Sequence, residues 1–266
     1  MKMGGGVEMV TPDMTVGSAW LDDVISARIP VLVFRGFTSP DKARLLIDDL
    51  KNCGSSVCVS SYLNATLTTL GPYLAKYVSS PDEYFEQAAT IKTLLPYSLR
   101  QAQSDIYQLV KQWFCLDSLN TAVEPVLGEY SGSVIRFHAD GIANPLHSDN
   151  ISRDAAGSGL IVERIAHQLS CVVCLQACTS GGQLRVFRKN WCLEDECFKA
   201  RCELGYSCGV VEGYGACEFS PAQGDVYIFN PAYYHEIDRV SGVARITLGF
   251  FFGFTGEDMK KAIAWS

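Results

Sequence analysis

Apolar positions along the chain follow two kinds of pattern, and the change between them divides it. The run Ile29-Pro30-Val31-Leu32-Val33-Phe34 is short, continuous and β-branched, which predicts a strand. Ser39-Pro40-Asp41 then supplies a cap residue and a first-turn proline. Leu45, Leu46, Ile47 and Leu50 follow at helical spacing, so a helix is expected as far as about Gly54. Ser80-Pro81-Asp82-Glu83 repeats the device, with Ser80 and Glu83 spaced as a capping box ahead of a helix over 84–95. A third helix is expected over 99–114. Beyond residue 130 the pattern shortens to β-rich runs at 134–137, 169–175, 184–187, 226–229 and 244–254. Turn signals lie between them: Gly181-Gly182, Pro221-Ala222-Gln223-Gly224-Asp225 and Ser241-Gly242. Helices followed by many short strands predict an α+β fold whose strands form a sandwich or barrel.

The remaining segments complete a one-domain organisation over 1–266. Residues 1–20 are polar and glycine-rich and read as a loose leader, 21–130 as mainly helical, and 131–254 as the β core. Within that core, 190–220 carries five cysteines without clear periodicity, and a stretch of that length is expected to be a lid or insert.

Composition narrows the function. The 266 residues include 48% hydrophobic and 19% charged, the mix of a folded globular protein, and the net charge is −7. An acidic chain without clustered Lys and Arg does not suit nucleic-acid phosphates. No apolar run reaches the roughly 18–20 residues that span a bilayer. The N-terminus lacks the apolar segment of a secretory signal, so a cytoplasmic location is expected, and the eleven cysteines are expected to be reduced thiols. Cys171 and Cys174 have zinc-like spacing without a second pair, and their apolar neighbours favour buried thiols. A small molecule is the partner class that remains.

Two of the four histidines sit in chemical contexts. His147-Ser148-Asp149 places an imidazole and a carboxylate two residues apart, on one side of an extended strand. His235 follows a strand and a turn, and Arg245 and Thr247 come ten and twelve residues later, on one face of the next strand. Two His and one carboxylate on one face of a metal leave the other face open, the arrangement of non-haem Fe(II) oxygenases. A second His-x-Asp, His138-Ala139-Asp140, competes for the metal role.

The ordered set His-x-Asp, Gly181-Gly182-Gln183-Leu184, Gly224-Asp225, His235 and Arg245-x-Thr247 resembles the 2-oxoglutarate/Fe(II)-dependent dioxygenase superfamily. The resemblance implies a double-stranded β-helix (a cupin-like jelly roll) with the N-terminal helices packed on it. It implies Fe(II) held by His147, Asp149 and His235, 2-oxoglutarate held by Arg245 and Thr247, and O2 as co-reactant. More closely, the chain resembles the small free-standing iron halogenases of indole-alkaloid biosynthesis. Arg136 stands eleven residues before His147 as the matching Arg does there, and Tyr233-Tyr234-His235 and Trp265-Ser266 also match. That register selects His147-x-Asp149 as the metal pair and leaves His138 as a strand or substrate-facing residue. The halogenases carry glycine where this chain has Asp149, and that vacancy admits chloride. The resemblance therefore implies a hydroxylase, desaturase or cyclase acting on an unactivated C–H bond of an amino acid or natural product. The alternative is a metal-binding cupin that is not an oxygenase, an isomerase or a binding module, which would not need Arg245 and Thr247.

Overall fold

The structure, a computed structural model, describes residues 6–10, 17–52, 57–199, 203–256 and 258–266. Among these residues two main sheets enclose a cavity. The larger has the spatial order Glu8–Val10, Leu32–Phe34, Val226–Phe229, His167–Gln176, Arg245–Phe254, Val134–His138, Thr66–Leu70, Val57–Ser61. Lys261–Trp265 joins it through Arg245–Phe254, and Ser118–Thr121 pairs in turn with Lys261–Trp265. The smaller has the order Ala216–Phe219, Leu184–Asn190, Tyr233–Ile237, Asn144–His147. From Val134 the chain winds between the two. Successive strands enter the larger, smaller, larger, smaller, smaller, larger, smaller and larger sheet. This winding is the double-stranded β-helix, with helices added before it, and the fold is α+β.

The larger sheet is covered on both faces, which explains its continuous apolar strands. Along Arg245–Phe254, the side chains of Ile246, Leu248, Phe250, Phe252 and Phe254 enter a core shared mainly with three helices, to which Ile91 of Pro81–Leu94 adds one side chain. The alternate residues Arg245, Thr247 and Phe251 line the cavity. The helices Ser18–Ile25, Pro40–Asn52 and Tyr97–Trp113 bring Leu21, Val24, Leu46, Ile47, Leu99, Ile106 and Val110 to that core. Each such side chain contributes about 1.5–3 kcal/mol when fully buried, so the sheet rather than helix propensity holds the layer in place.

Several elements differ from the sequence reading. Within the expected leader, Glu8–Val10 is a strand parallel to Leu32–Phe34, and a helix begins at Ser18. The mainly helical half also contains the hairpin Val57–Ser61/Thr66–Leu70, which extends the larger sheet beside Val134–His138. Its Thr and Ser residues carry no apolar alternation, so its pairing comes from the neighbouring strand rather than from its own pattern. Ser80 precedes the helix Pro81–Leu94 without a side-chain cap; its carbonyl instead accepts the Glu83 amide at 3.2 Å. The β core does not stop at 254, because Lys261–Trp265 packs Trp265 into the interior. Within 190–220, Ala216–Phe219 belongs to the smaller sheet, and the insert proper is built from 3-10 turns at Leu193–Phe198 and Cys208–Val211. The helix stop expected near Gly54 and the thiol of Cys202 lie outside the described residues. Cys171 and Cys174 are buried free thiols, and Cys192, Cys197, Cys208 and Cys217 are free as well.

Candidate active site

His147 ends the strand Asn144–His147 and pairs directly across the smaller sheet with His235 of Tyr233–Ile237. The two rings stand 4.2 Å apart between centroids. Asp149 lies just beyond the strand, where its amide donates to the Pro231 carbonyl at 2.9 Å. Its Oδ2 comes 3.7 Å from His147 Nε2 and 3.8 Å from His235 Nε2. Those separations exceed a hydrogen bond, and one ligand atom from each of the three residues lies within 4.8 Å of the others. The gap between them is the size of an ion.

The tautomers fit a metal. His147 Nδ1 lies 2.7 Å from the Pro145 carbonyl and His235 Nδ1 lies 2.9 Å from the Tyr233 carbonyl. A carbonyl can only accept, so each Nδ1 carries the proton and each Nε2 turns a lone pair toward Asp149. Burial, reinforced by His147, pushes the His235 pKa down to about 3 and keeps that ring neutral, the form a metal requires.

A second constellation lies on the larger sheet. Arg245 and Thr247 are both buried on the cavity side of Arg245–Phe254. Arg245 Nη2 donates to the Tyr227 hydroxyl at 2.6 Å, while its Nε is buried without an acceptor. A guanidinium left partly unpaired in a dry wall fits a carboxylate arriving from the cavity. The glycine turn Gly181-Gly182 makes this possible. Gly182 has φ +67°, and a Cβ there would stand 3.2 Å from Arg245 Cδ. His138 is paired in register with Arg245 across the strands and is not part of the His147, Asp149 and His235 cluster. Burial and the guanidiniums of Arg245 and Arg136 drive its pKa down to about 3.

Lys199, Leu204, Gly205 and Tyr206 of the insert line one side of this cavity, and the insert is tied to the strands that carry His147 and His235. Asp195 accepts from Lys189 Nζ at 2.7 Å with both oxygens and from Tyr234 Oη at 3.1 Å, beside His235. Farther along, the Tyr206 amide donates to the Leu146 carbonyl at 2.8 Å, next to His147. Gly205 permits that approach, since a Cβ there would fall 2.1 Å from the same carbonyl oxygen. The cavity has a volume of about 370 Å³.

The structure brings all five residues expected from the sequence, His147, Asp149, His235, Arg245 and Thr247, to one cavity. It adds Tyr227, Arg153 and Gln168, which sequence reading did not single out. The signal for Tyr227 was present in strand parity. It alternates with Val226 and Ile228, which face the helices, so it had to face inward. Arg153 and Gln168 gave no such signal.

A sequence model of the family described as carrier-protein-independent halogenase WelO5 matches residues 7–266. The leucinostatins biosynthesis cluster protein S of Purpureocillium lilacinum is 29% identical over 119 residues, 41% of this chain. That match spans only 49% of the relative's own length. Among solved structures, an N-substituted L-amino acid dioxygenase from Burkholderia ambifaria AMMD, in complex with alpha-KG, superposes with a TM-score of 0.62 at 17% identity, covering 93% of this chain and 90% of its own. HygX from Streptomyces hygroscopicus, with nickel and 2-oxoglutarate bound, superposes at 0.54 with 13% identity, covering 90% of this chain and 86% of its own. These similarities between structures concern the fold; the family match runs over nearly the whole chain. The chain belongs to the WelO5 family, within the 2-oxoglutarate- and iron(II)-dependent oxygenases.

Proposed function

We propose that this protein is a hydroxylase-type member of its family, oxidising a C–H bond of a small natural-product or amino-acid substrate. His147, Asp149 and His235 would hold Fe(II), and Arg245 and Thr247 would hold the far carboxylate of 2-oxoglutarate. The observation that carries the reading is the Asp149 carboxylate, 3.7 and 3.8 Å from the two histidine nitrogens. It stands where the halogenases it resembles have glycine, and so takes the position a halide would need. Iron bound there would supply O2 activation coupled to decarboxylation of 2-oxoglutarate, giving CO2 and succinate with one oxygen atom left for the substrate.

The chain's own share is orientation and exclusion of water. The Pro145 and Tyr233 carbonyls fix the two imidazoles, and Asp149 is held by its backbone bond to Pro231. Tyr227 steadies Arg245 from one side, leaving its buried Nε for the cosubstrate. The insert, anchored through Asp195 and Tyr206, covers the reaction and holds the C–H bond in place. A natural-product substrate is supported by the match to a leucinostatin-cluster protein. The buried Arg245 argues against a cupin without cosubstrate, which has no use for an unpaired guanidinium at that depth.

The test is succinate release from 2-oxoglutarate under O2 across a panel of amino acids and alkaloids, with mass spectrometry of products formed in chloride buffer. Hydroxylated, desaturated or cyclised product without chlorine supports the reading. Chlorinated product at comparable yield would contradict it.

A further inference from the structure

The cavity contains a second guanidinium that the metal and cosubstrate leave unused. Arg136 lies on Val134–His138, its register partners being Thr247 on one side and Thr69 on the other. It lines the same cavity as the triad. Among the described residues no carboxylate lies within ion-pairing distance of it, and no acceptor hydrogen-bonds its side chain. The other cavity cations are paired or in solvent: Arg153 Nε binds Asp154 at 2.7 Å, Lys199 lies 3.8 Å from Glu196, and Lys76 is exposed to solvent beside the Cys58 thiol.

The fold makes room for this charge. Gly249 lies two residues beyond Thr247 on the neighbouring strand, and a Cβ there would stand 2.8 Å from Arg136 Nη1 and 3.7 Å from Val172 Cγ2. The guanidinium therefore lies across a glycine, where any side chain would displace it. Burial is the largest influence on Arg136 and disfavours its charge, Asp149 is the foremost attraction opposing it, and Arg245 adds repulsion. A half-buried cation that faces the cavity without an ion-pair partner points to a partner that arrives.

Charge balance says what kind. Iron(II), Asp149, Arg245 and the 2-oxoglutarate dianion cancel, and His138 is neutral between the two guanidiniums. Arg136 then leaves the loaded cavity with one surplus positive charge. The remaining walls include Leu67, Phe137, Phe251 and Trp265. Resting on the proposed cofactor set, we infer that Arg136 is the substrate-binding residue for a single carboxylate, and that the substrate is a monoanion with an apolar body.

The test uses protein loaded with Ni(II) and saturating 2-oxoglutarate, which is redox-silent. The probes are phenylacetate through 6-phenylhexanoate and their primary amides, measured by titration calorimetry. At least one acid is expected to bind about tenfold or more tighter than its amide, the effect of a charge-assisted contact. In Arg136→Met, and in Arg136→Gln as a second neutral variant, that ratio should fall to within about twofold. Affinity for 2-oxoglutarate should stay within about twofold of the parent in both variants. The inference is overturned if acids and amides bind alike or not at all, or if the preference survives the loss of Arg136. It is also overturned if acid binding weakens as 2-oxoglutarate is raised, or if the Arg136 variants lose 2-oxoglutarate as Arg245→Met does. Failure of the parent to take up 2-oxoglutarate at all would instead refute the proposed function.

Discussion

Replacing Arg245 by Met is the sharpest perturbation of the proposed cosubstrate site, since it removes the charge while retaining much of the side-chain volume. In the parent the guanidinium is 3% exposed, donates once to Tyr227, and has an unused Nε. A carboxylate entering that wall gains a desolvated, charge-assisted partner. Losing one partner of such a pair costs about 2–5 kcal/mol, or roughly 30-fold to several-thousand-fold in Kd. Tyr227→Phe should have a smaller effect of the same sign, about 5- to 15-fold, because it frees the guanidinium from one of its fixing bonds. Arg239 is the internal control. It is exposed and donates to the Gly141 carbonyl away from the cavity, so Arg239→Ala should leave 2-oxoglutarate affinity unchanged. The assay is calorimetric titration of 2-oxoglutarate into Ni(II)-loaded protein, with substrate probes titrated separately. Equal losses in Arg245→Met and Arg239→Ala, or an Arg245→Met variant that binds normally, would show that the cosubstrate pocket has been misplaced.

Three further outcomes follow from the same geometry. Asp149→Gly should weaken metal binding and uncouple turnover, and the variant in chloride buffer should yield at most a trace of chlorinated product where the parent yields none, as read by mass spectrometry; chlorination by the parent at the level of its hydroxylation would refute the role given to Asp149. Arg136→Met should raise the melting temperature of the metal-free protein by about 1–3 °C, for up to about 1 kcal/mol recovered from a half-buried charge without an ion-pair partner; a lower melting temperature would show that Arg136 already has a partner. His138 is held neutral with a folded pKa of about 3 against about 6.5 unfolded, so the unfolded chain binds its proton first as pH falls. Stability from this group is intact above about pH 6.5 and is lost toward pH 3 at up to about 1.4 kcal/mol per pH unit. His138→Gln should remove that part of the slope in urea unfolding at pH 5–7.5 while leaving Ni(II) binding intact, and an unchanged slope would contradict the assignment.

The site was more legible in the sequence than much of the scaffold, for physical reasons. Metal ligation requires particular residue types at fixed offsets, so His147-x-Asp149 and His235 stand out as candidates, and the resemblance adds Arg245 and Thr247, which two-residue parity puts on one face of a strand. The core strands Val226–Phe229 and Arg245–Phe254 were visible because both their faces are buried. The hairpin Val57–Ser61/Thr66–Leu70 was hidden because most of its first strand is exposed or half-exposed, its Thr and Ser residues break any apolar alternation, and its order comes from pairing with Val134–His138. The strand Glu8–Val10 is similarly fixed by its partner Leu32–Phe34. Ser80 was misread because its spacing to Glu83 suits a side-chain cap, whereas the backbone carbonyl supplies the bond. Of two His-x-Asp pairs, the residue pattern alone does not choose, and the resemblance, through Arg136, selects His147-x-Asp149. The fold keeps the two apart: His138 pairs with Arg245 on the larger sheet, and His147 pairs with His235 on the smaller.

The central claim is that His147, Asp149 and His235 hold iron with 2-oxoglutarate chelated beside them. It is tested most directly by adding Fe(II) and 2-oxoglutarate to the metal-free protein under argon and recording the visible spectrum. The parent should show the weak charge-transfer band of an iron–2-oxoacid chelate, saturating at one iron per chain. His138→Gln should retain that band, and His147→Ala and His235→Ala should lose it. A flat spectrum from the parent, or a band that survives loss of His235 and disappears with His138, would contradict the account.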